Sequence, residues 1–321
     1  MTAAPSNARA PFWPAESLEP RIVRYDALIP CLNAFVDTRT PGSETKENFT
    51  IIGPGVAENP DQHVHIVEPH GFNIGAARQP PGCTNSQHSH DTAEVFFVHS
   101  GHWRFDFGEY ADDAQIEAAP GDIVSFPISC FRGFSNIGND VGFLWAVLGG
   151  DDPGRVIWAP QVFELAANHG LVLLESGSLI DVTLGQTVPE GDRPMPVTSP
   201  EMIARLRRMQ PADAGEVLAK APLAVEPGET LVIGPAGQLP AASDFTLSRL
   251  ILDAGDDREG GDSLQPEVLF VHRGEVDVIT PDATLRLRMG DTMTVPETLK
   301  RRYASSQGAE LIIVRGTGRA N

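Results

Sequence analysis

The sequence predicts an all-β protein, a sandwich or barrel with a few short helices. Three observations carry this. Short β-type runs recur at regular spacing with Gly, Pro, Asn and Asp clusters between them. Gly 31 and Pro 27 together form about 18% of the 321 residues, more than helical bundles tolerate. The β texture of the first part of the chain also returns in the last part.

Taken in order, residues 1–47 are Pro-rich and weakly periodic, and are expected to form an arm lying across a domain surface. From Asn48 onward the runs FTII, HVHIV, FNIGAAR, EVFFVHS, HWRFDF, DIVSF and GFLWAVLGG predict strands of a first β domain over residues 48–165. The clearest is HWRFDFGEY, where Trp103, Phe105 and Phe107 alternate with His102, Arg104 and Asp106, the period of a strand with one face in a core. Residues 166–225 are read as a connection. A helix is predicted to begin at Pro160 and end at Gly170, and a second to open at Ser199 and Pro200 and run to Pro211. Strands return over residues 226–316 in LSRLILDAG, EVLFVHRG, EVDVIT, TLRLRMGD and ELIIVRG.

The second β block repeats the first. EVFFVHSG, from Glu94, matches EVLFVHRG, from Glu267, at six of eight positions, an offset of 173 residues. Gly121, Asp122, Pro127 and Arg132 match Gly290, Asp291, Pro296 and Arg301 at an offset of 169, so the later copy needs a hairpin only four residues shorter.

Composition narrows the classes of partner. Asp+Glu 43 against Lys+Arg 24 leaves a net charge of −19, which repels polyphosphate backbones and anionic lipid, so neither nucleic acid nor membrane is expected. Cys31, Cys83 and Cys130 cannot all pair within the chain and show no CxxC spacing, which fits a reducing, cytoplasmic setting. The first residues lack the apolar core of a signal peptide, and no stretch approaches the ~18 apolar residues of a span. Exposed sheet edges need covering, so a homo-oligomer is expected.

The chemistry concentrates in the first copy, where Gly82, His88, His90, Glu94 and Gly101 are spaced as G-x5-H-x-H-x3-E-x6-G. With this spacing the sequence resembles the cupin superfamily. The resemblance implies two jelly-roll barrels, a bicupin, covering about two thirds of the chain. The spacing also has a physical reason. Residues two apart on a strand project from one face, and Glu94 lies an even number further on. Two imidazoles and a carboxylate converging on one cavity suit a divalent transition metal: iron, manganese, nickel, cobalt or zinc.

The second motif of the family, G-x5-P-x-G-x2-H-x3-N, reads here from Gly121 through Pro127 to Ser129 for the glycine, Arg132 for the histidine, and Asn136. Arginine stays protonated and offers no lone pair, so the usual fourth ligand is missing. In the later copy the histidine positions are Gly261 and Ser263, while Glu267 and Arg301 persist. That copy is expected to bind no metal. The recurrence suggests that Glu94 with Arg132, and Glu267 with Arg301, form ion pairs inside each barrel.

Two states of the first cavity follow. In one, a metal sits on His88, His90 and Glu94, with Arg132 turned toward a small anionic substrate as carboxylate clamp and catalytic charge stabiliser. In the other, Arg132 takes the metal's electrostatic role and the histidines act as donors or bases. The first makes the protein an oxidoreductase resembling non-haem dioxygenases and acting on a small organic acid. The second makes it a metal-free binding or structural bicupin, or an isomerase with a histidine base. Similar two-barrel families, the gentisate-type and quercetin dioxygenases and the oxalate decarboxylases, rely on a third histidine that this chain lacks. His63 and His65 read as strand residues, Cys130 as a small buried group, and Phe96, Trp103, Phe105, Phe134 and Trp145 as core.

Overall fold

The computed structural model describes residues 12–221, 226–240, 242, 244–261 and 264–318. Ser263, the expected counterpart of His90, lies outside these, as do residues 1–11 of the expected arm and 222–225 of the expected connection. The chain divides into two compact units. Among the described residues, one comprises 28–221, 231–246 and 317–318, the other 12–27, 226–230 and 247–316.

The first unit is a sandwich of two sheets. One runs, in spatial order, Leu218–Ala219, Ile123–Phe126, Glu94–Ser100, Gly142–Gly149, Phe72–Gln79, Glu47–Ile52, Val64–Ile66; the other runs Ile157–Trp158, Thr84–Ser89, Arg132–Asn136, Trp103–Phe107, Ala114–Ala118. Their inner faces meet in a core that includes Phe96, Val98, Phe105, Phe107, Phe126, Phe134 and Leu144. The expected alternation is realised, with Trp103, Phe105 and Phe107 buried and Arg104 turned away from them. The jelly-roll architecture implied by the family resemblance is therefore present, and it sets the two faces from which the site is assembled.

Residues 28–46 are built into this unit rather than laid over it. The Lys46 ammonium pairs with Asp37 with both side chains fully buried, and the second Asp37 oxygen accepts the Ser86 amide at 2.9 Å. A stranded buried charge costs several kcal/mol, so the pair fastens this segment to the Thr84–Ser89 strand. Residues 12–27 belong instead to the second unit. There Ile22 and Val23 pair with Met293 and Thr292, Leu18 and Ile22 enter the core, and Asp291 accepts from Arg24 at 2.8 Å and from the Tyr25 amide at 3.1 Å.

In the second unit the strand Glu267–Ile279 is the organiser. Its first part pairs with Thr292–Val295 and Ala309–Gly316, and its last part with Thr284–Arg288 and Arg302–Ala304. Leu269, Val271, Val276, Val278, Leu285, Leu287 and Leu311 fill the space between the layers. The duplication extends to backbone shape. Ser129 and Thr298, at the offset of the second motif, have φ of 56° and 62° where the family pattern has glycine. Both copies thus keep a left-handed turn at a cost of roughly 1–2 kcal/mol to a residue with a Cβ.

The helix at Pro160–Asn168 forms as expected, with proline in its first turn and Gly170 at φ 80° beyond it. The second is shorter than predicted. Ser199 caps it by accepting the Met202 amide, but only Pro200–Ile203 is helical. Beyond it the Arg207 amide donates to the Ser129 carbonyl at 2.7 Å, and Met209 is fully buried in the barrel core. Tertiary pairing here overrides a local helical preference. Among the described residues, no helix is long and apolar enough to cross a membrane.

Candidate metal centre

His88 stands on Thr84–Ser89 and faces Arg132 across the ladder, while Asn85 faces Phe134. Two residues on one strand, Ser86 and Gln87, therefore oppose one, Gly133, on the other. This β-bulge re-aims the chain, so that Asn85 and His88, an odd number apart, both line one cavity. Gly133 sits opposite the bulge, where an added Cβ would lie 2.7 Å from the Asn85 carbonyl oxygen; the close approach requires glycine. His90 follows the strand and is anchored by its carbonyl, which accepts the Ser129 amide at 2.8 Å. Glu94 opens Glu94–Ser100 in the opposite sheet, so the cluster bridges the two sheets.

One ligand atom from each of His88, His90 and Glu94 can be chosen so that all lie within 4.8 Å of one another, and all three side chains are buried. The two imidazole rings are 5.4 Å apart and nearly perpendicular, at 84°. His88 Nδ1 lies 2.7 Å from the Ser86 carbonyl oxygen. A carbonyl only accepts, so Nδ1 carries the proton and Nε2 keeps its lone pair. Nδ1 of His90 is buried with no hydrogen-bond partner among the described residues, and its Nε2 lies 3.7 Å from Glu94 Oε1. Burial, reinforced by the Arg132 charge, pushes His88 down to about 3 and His90 well below the usual imidazole value. Both rings are neutral near pH 7, the form that ligates.

Arg132 divides the labour of Glu94. Its Nε donates to Glu94 Oε2 at 3.1 Å and its Nη2 to the same oxygen, leaving Oε1 on the His90 side. Nη1 lies 3.4 Å from the Cys130 carbonyl oxygen and 3.5 Å from that of His88, and the guanidinium sits 5.2 Å from the Phe126 ring centroid. The side chain is 1% exposed and is not part of the cavity wall. Arg132 therefore stands behind Glu94 and orients it, a placement different from the substrate-facing clamp expected from sequence. The ion pair reading and the ligand reading of Glu94 are compatible, one oxygen serving each.

The cavity offers about 80 Å³ to the centre of a water molecule. Its walls are mainly apolar, with Phe35, Phe49, Phe96, Phe134, Leu148 and Trp158, and His88, His90 and Glu94 supply much of its polarity. The Trp158 indole donates to the buried Glu58 carboxylate at 2.6 Å, which fixes the ring beside His88 at a centroid distance of 5.4 Å. Neither His63 nor His65 reaches the cavity; their rings meet edge to face at 4.4 Å, and His65 Nε2 accepts the Ile29 amide at 3.2 Å. Cys130 is fully buried in the core and its thiol is pushed up to about 11 by burial, which leaves it protonated. Sequence reasoning missed Phe35, Asn48, Asn85 and Trp158. The two asparagines carried no motif signal, and Phe35 lay in the segment read as an arm.

The corresponding place in the second unit is closed. Glu267 Oε1 accepts from Arg301 Nη2 and, at 2.7 Å, from the Tyr303 hydroxyl, while Oε2 accepts from Arg315 at 2.6 Å. Arg301 Nη1 donates to the carbonyl of Gly261, the residue in the position of His88, at 3.0 Å. Both carboxylate oxygens are committed, and among the described residues no histidine joins Glu267 in a metal-capable cluster.

The first cluster suits a first-row divalent ion. Two neutral imidazoles have lone pairs to give, and the Glu94 oxygen on the His90 side lies outside the Arg132 ion pair. The nearby arginine charge is already balanced by the same carboxylate.

Comparison with known proteins agrees with this architecture. Residues 76–147, which include His88, His90, Glu94 and Arg132, match the family described as Cupin domain. No curated protein sequence matches the chain. Among solved structures, the chain is similar to oxalate decarboxylase from Lactobacillus farciminis in its formate complex, at 12% identity and TM-score 0.56, over 92% of this chain and 85% of that one. It is similar to salicylate 1,2-dioxygenase from Pseudoaminobacter salicylatoxidans with gentisate, at 15% identity and TM-score 0.53, over 92% and 80%. The bacterial pirin YhhW from Escherichia coli, in complex with nickel(II), matches at 10% identity and TM-score 0.53, over 92% and 97%. At these identities the likeness is one of fold. With the matched domain over residues 76–147, the repeated barrel and the spacing of its first motif, the chain carries a cupin domain and has a two-barrel fold similar to that of these structures.

Proposed function

We propose that the first barrel is a metal-dependent oxidoreductase, resembling non-haem dioxygenases, that acts on a small organic acid, with His88, His90 and Glu94 as metal ligands. The observation that carries this is the buried cluster of His88, His90 and Glu94, whose ligand atoms lie within 4.8 Å of one another on the wall of a mainly apolar cavity. Two histidines and one carboxylate leave coordination positions open, the pattern of non-haem iron oxygenases. When bound, the metal supplies a Lewis acid and, if it is iron, a redox centre at which a small acid and dioxygen can meet.

The protein's own residues set the conditions. The Ser86 carbonyl fixes the His88 tautomer, and Arg132 holds one Glu94 oxygen so that the carboxylate presents the other. Arg132 is thus a positioning residue. Phe35, Phe49, Phe134 and Trp158 exclude water, which strengthens every electrostatic interaction inside. The metal-free structural reading is favoured by the recurrence of the Glu–Arg pair in both units. It leaves the cavity and the lone His90 nitrogen, found in the first unit, without a purpose.

The test is metal content, then oxygen consumption, in protein loaded anaerobically with iron(II). One iron per chain, lost in His88→Ala and in Glu94→Ala, is the expected result. A protein that retains no transition metal under these conditions contradicts the reading.

A further inference from the structure

The wall of the cavity specifies what it accepts. Among its polar groups, the Trp158 indole is committed to Glu58, the Thr50 hydroxyl to Gln62, and the Cys31 thiol to Asn33. His88, His90 and Glu94 form the candidate metal centre. Two donors remain. Asn85 and Asn48 line the cavity from opposite sheets, and their side-chain nitrogens are buried with no hydrogen-bond partner among the described residues. Asn85 is 8% exposed, and its orientation is fixed from behind. Its Oδ1 lies 3.4 Å from Lys46 Nζ, and an ammonium only donates, so the carbonyl faces the lysine and the amide Nδ2 is the end left unpaired. Lys46 is itself held by the buried Asp37. A buried donor without a partner is costly unless a ligand supplies the acceptor.

Among the described residues, no lysine or arginine lines the cavity. A first carboxylate has only a bound metal to balance it, and a second would be buried against Phe, Leu and Trp side chains uncompensated. The room is also limited. About 80 Å³ is smaller than the ~150 Å³ dry cavity that admits benzene in an unrelated protein.

We propose that the first barrel takes a small, mostly apolar carbonyl compound or monocarboxylate, whose oxygen is received by the amide groups of Asn85 and Asn48, and that it rejects dicarboxylates. This rests on the cavity assigned above and deepens its substrate class. Asn85 and Asn48 are specificity residues, while Arg132 does not touch the ligand.

The experiment measures calorimetric binding of 3-methyl-2-butanone, an uncharged acceptor with a branched apolar body, and of methylmalonate. Both are titrated into zinc-loaded and chelator-stripped protein, with zinc content determined in parallel. The ketone should bind both forms with a Kd on the order of millimolar, and methylmalonate should bind the stripped form at least about 10-fold more weakly. Asn85→Asp keeps the acceptor for Lys46 but removes the donor, and should weaken the ketone about 10-fold. Asn48→Ser, remote from the Lys46 pair, should weaken it to a smaller extent, and thermal melts establish that both variants fold. If wild-type protein fails to retain zinc while the ketone still depends on Asn85, the metal reading fails and this inference stands. Equal ketone binding by wild type and both folded variants overturns it. So does methylmalonate binding to the stripped protein as tightly as the ketone, or no ketone binding to either form.

Discussion

The two barrels carry the same Glu–Arg pair at equivalent positions and put it to different use. In the second, Glu267 is enclosed by Arg301, Tyr303 and Arg315, and both its oxygens are consumed. In the first, Arg132 takes one oxygen of Glu94, and the residues corresponding to the rest of that enclosure are absent; two imidazoles and a cavity stand there instead. The pair is a structural element that forms in both barrels. A single carboxylate oxygen left over, with two histidines beside it, is what separates a candidate site from a closed core.

The largest effect should come from Glu267→Ala. It strands Arg301 in the interior and removes a partner of Arg315, and should cost roughly 3–5 kcal/mol in the unfolding of that barrel, read by hydrogen exchange, with metal content unchanged. Glu94→Ala should cost a similar amount in the first barrel by stranding Arg132, and should also abolish metal retention. Metal loss from Glu267→Ala would erase the distinction between the barrels.

A pH measurement sharpens the comparison because the first unit holds a second buried carboxyl. Burial pushes Glu58 from 4.5 up to about 8, against the hydrogen bonds from Trp158 and Val36. The folded state then holds its proton more tightly than the unfolded chain. The resulting stabilisation is complete below pH 4.5 and is lost as pH rises to about 8. The unfolding free energy of wild type should therefore fall relative to Glu58→Gln across that window; parallel pH profiles would contradict it.

His90→Leu tests the same contrast more gently. It removes a buried nitrogen that has no partner among the described residues, so metal should be lost while stability changes by no more than about 1 kcal/mol. A large loss of stability would mean that His90 is a core residue first. The smallest expected effect is at the left-handed turns. Ser129→Gly and Thr298→Gly relieve the same strain in each barrel, and each should gain up to about 1 kcal/mol in chemical denaturation.

Much of this was legible in the sequence because it follows from regular periods. The alternation around Trp103 and the repeat of EVFFVHSG depend on two-residue strand geometry, which the folded chain respects; His88, His90 and Glu94 meet instead from a strand, the turn after it and the opposite sheet. What stayed hidden depends on departures from that geometry. Asn85 joins the cavity through a bulge, and no alternation rule brings residues 85 and 88 to one side. The roles of Asp37, Lys46 and Phe35 arise from a Pro-rich segment whose contacts are long-range. Residues beyond Ile203 had helical character, but barrel packing decided their conformation. The direction of the Arg132 side chain is set by three acceptors, which spacing alone does not specify.

The most direct test is the metal stoichiometry of the full chain by elemental analysis after anaerobic loading and gel filtration, for wild type and for His88→Ala. One divalent transition metal per chain, absent in the variant, is what a centre confined to the first barrel requires. No metal in wild type, or a full equivalent remaining in His88→Ala, would contradict it.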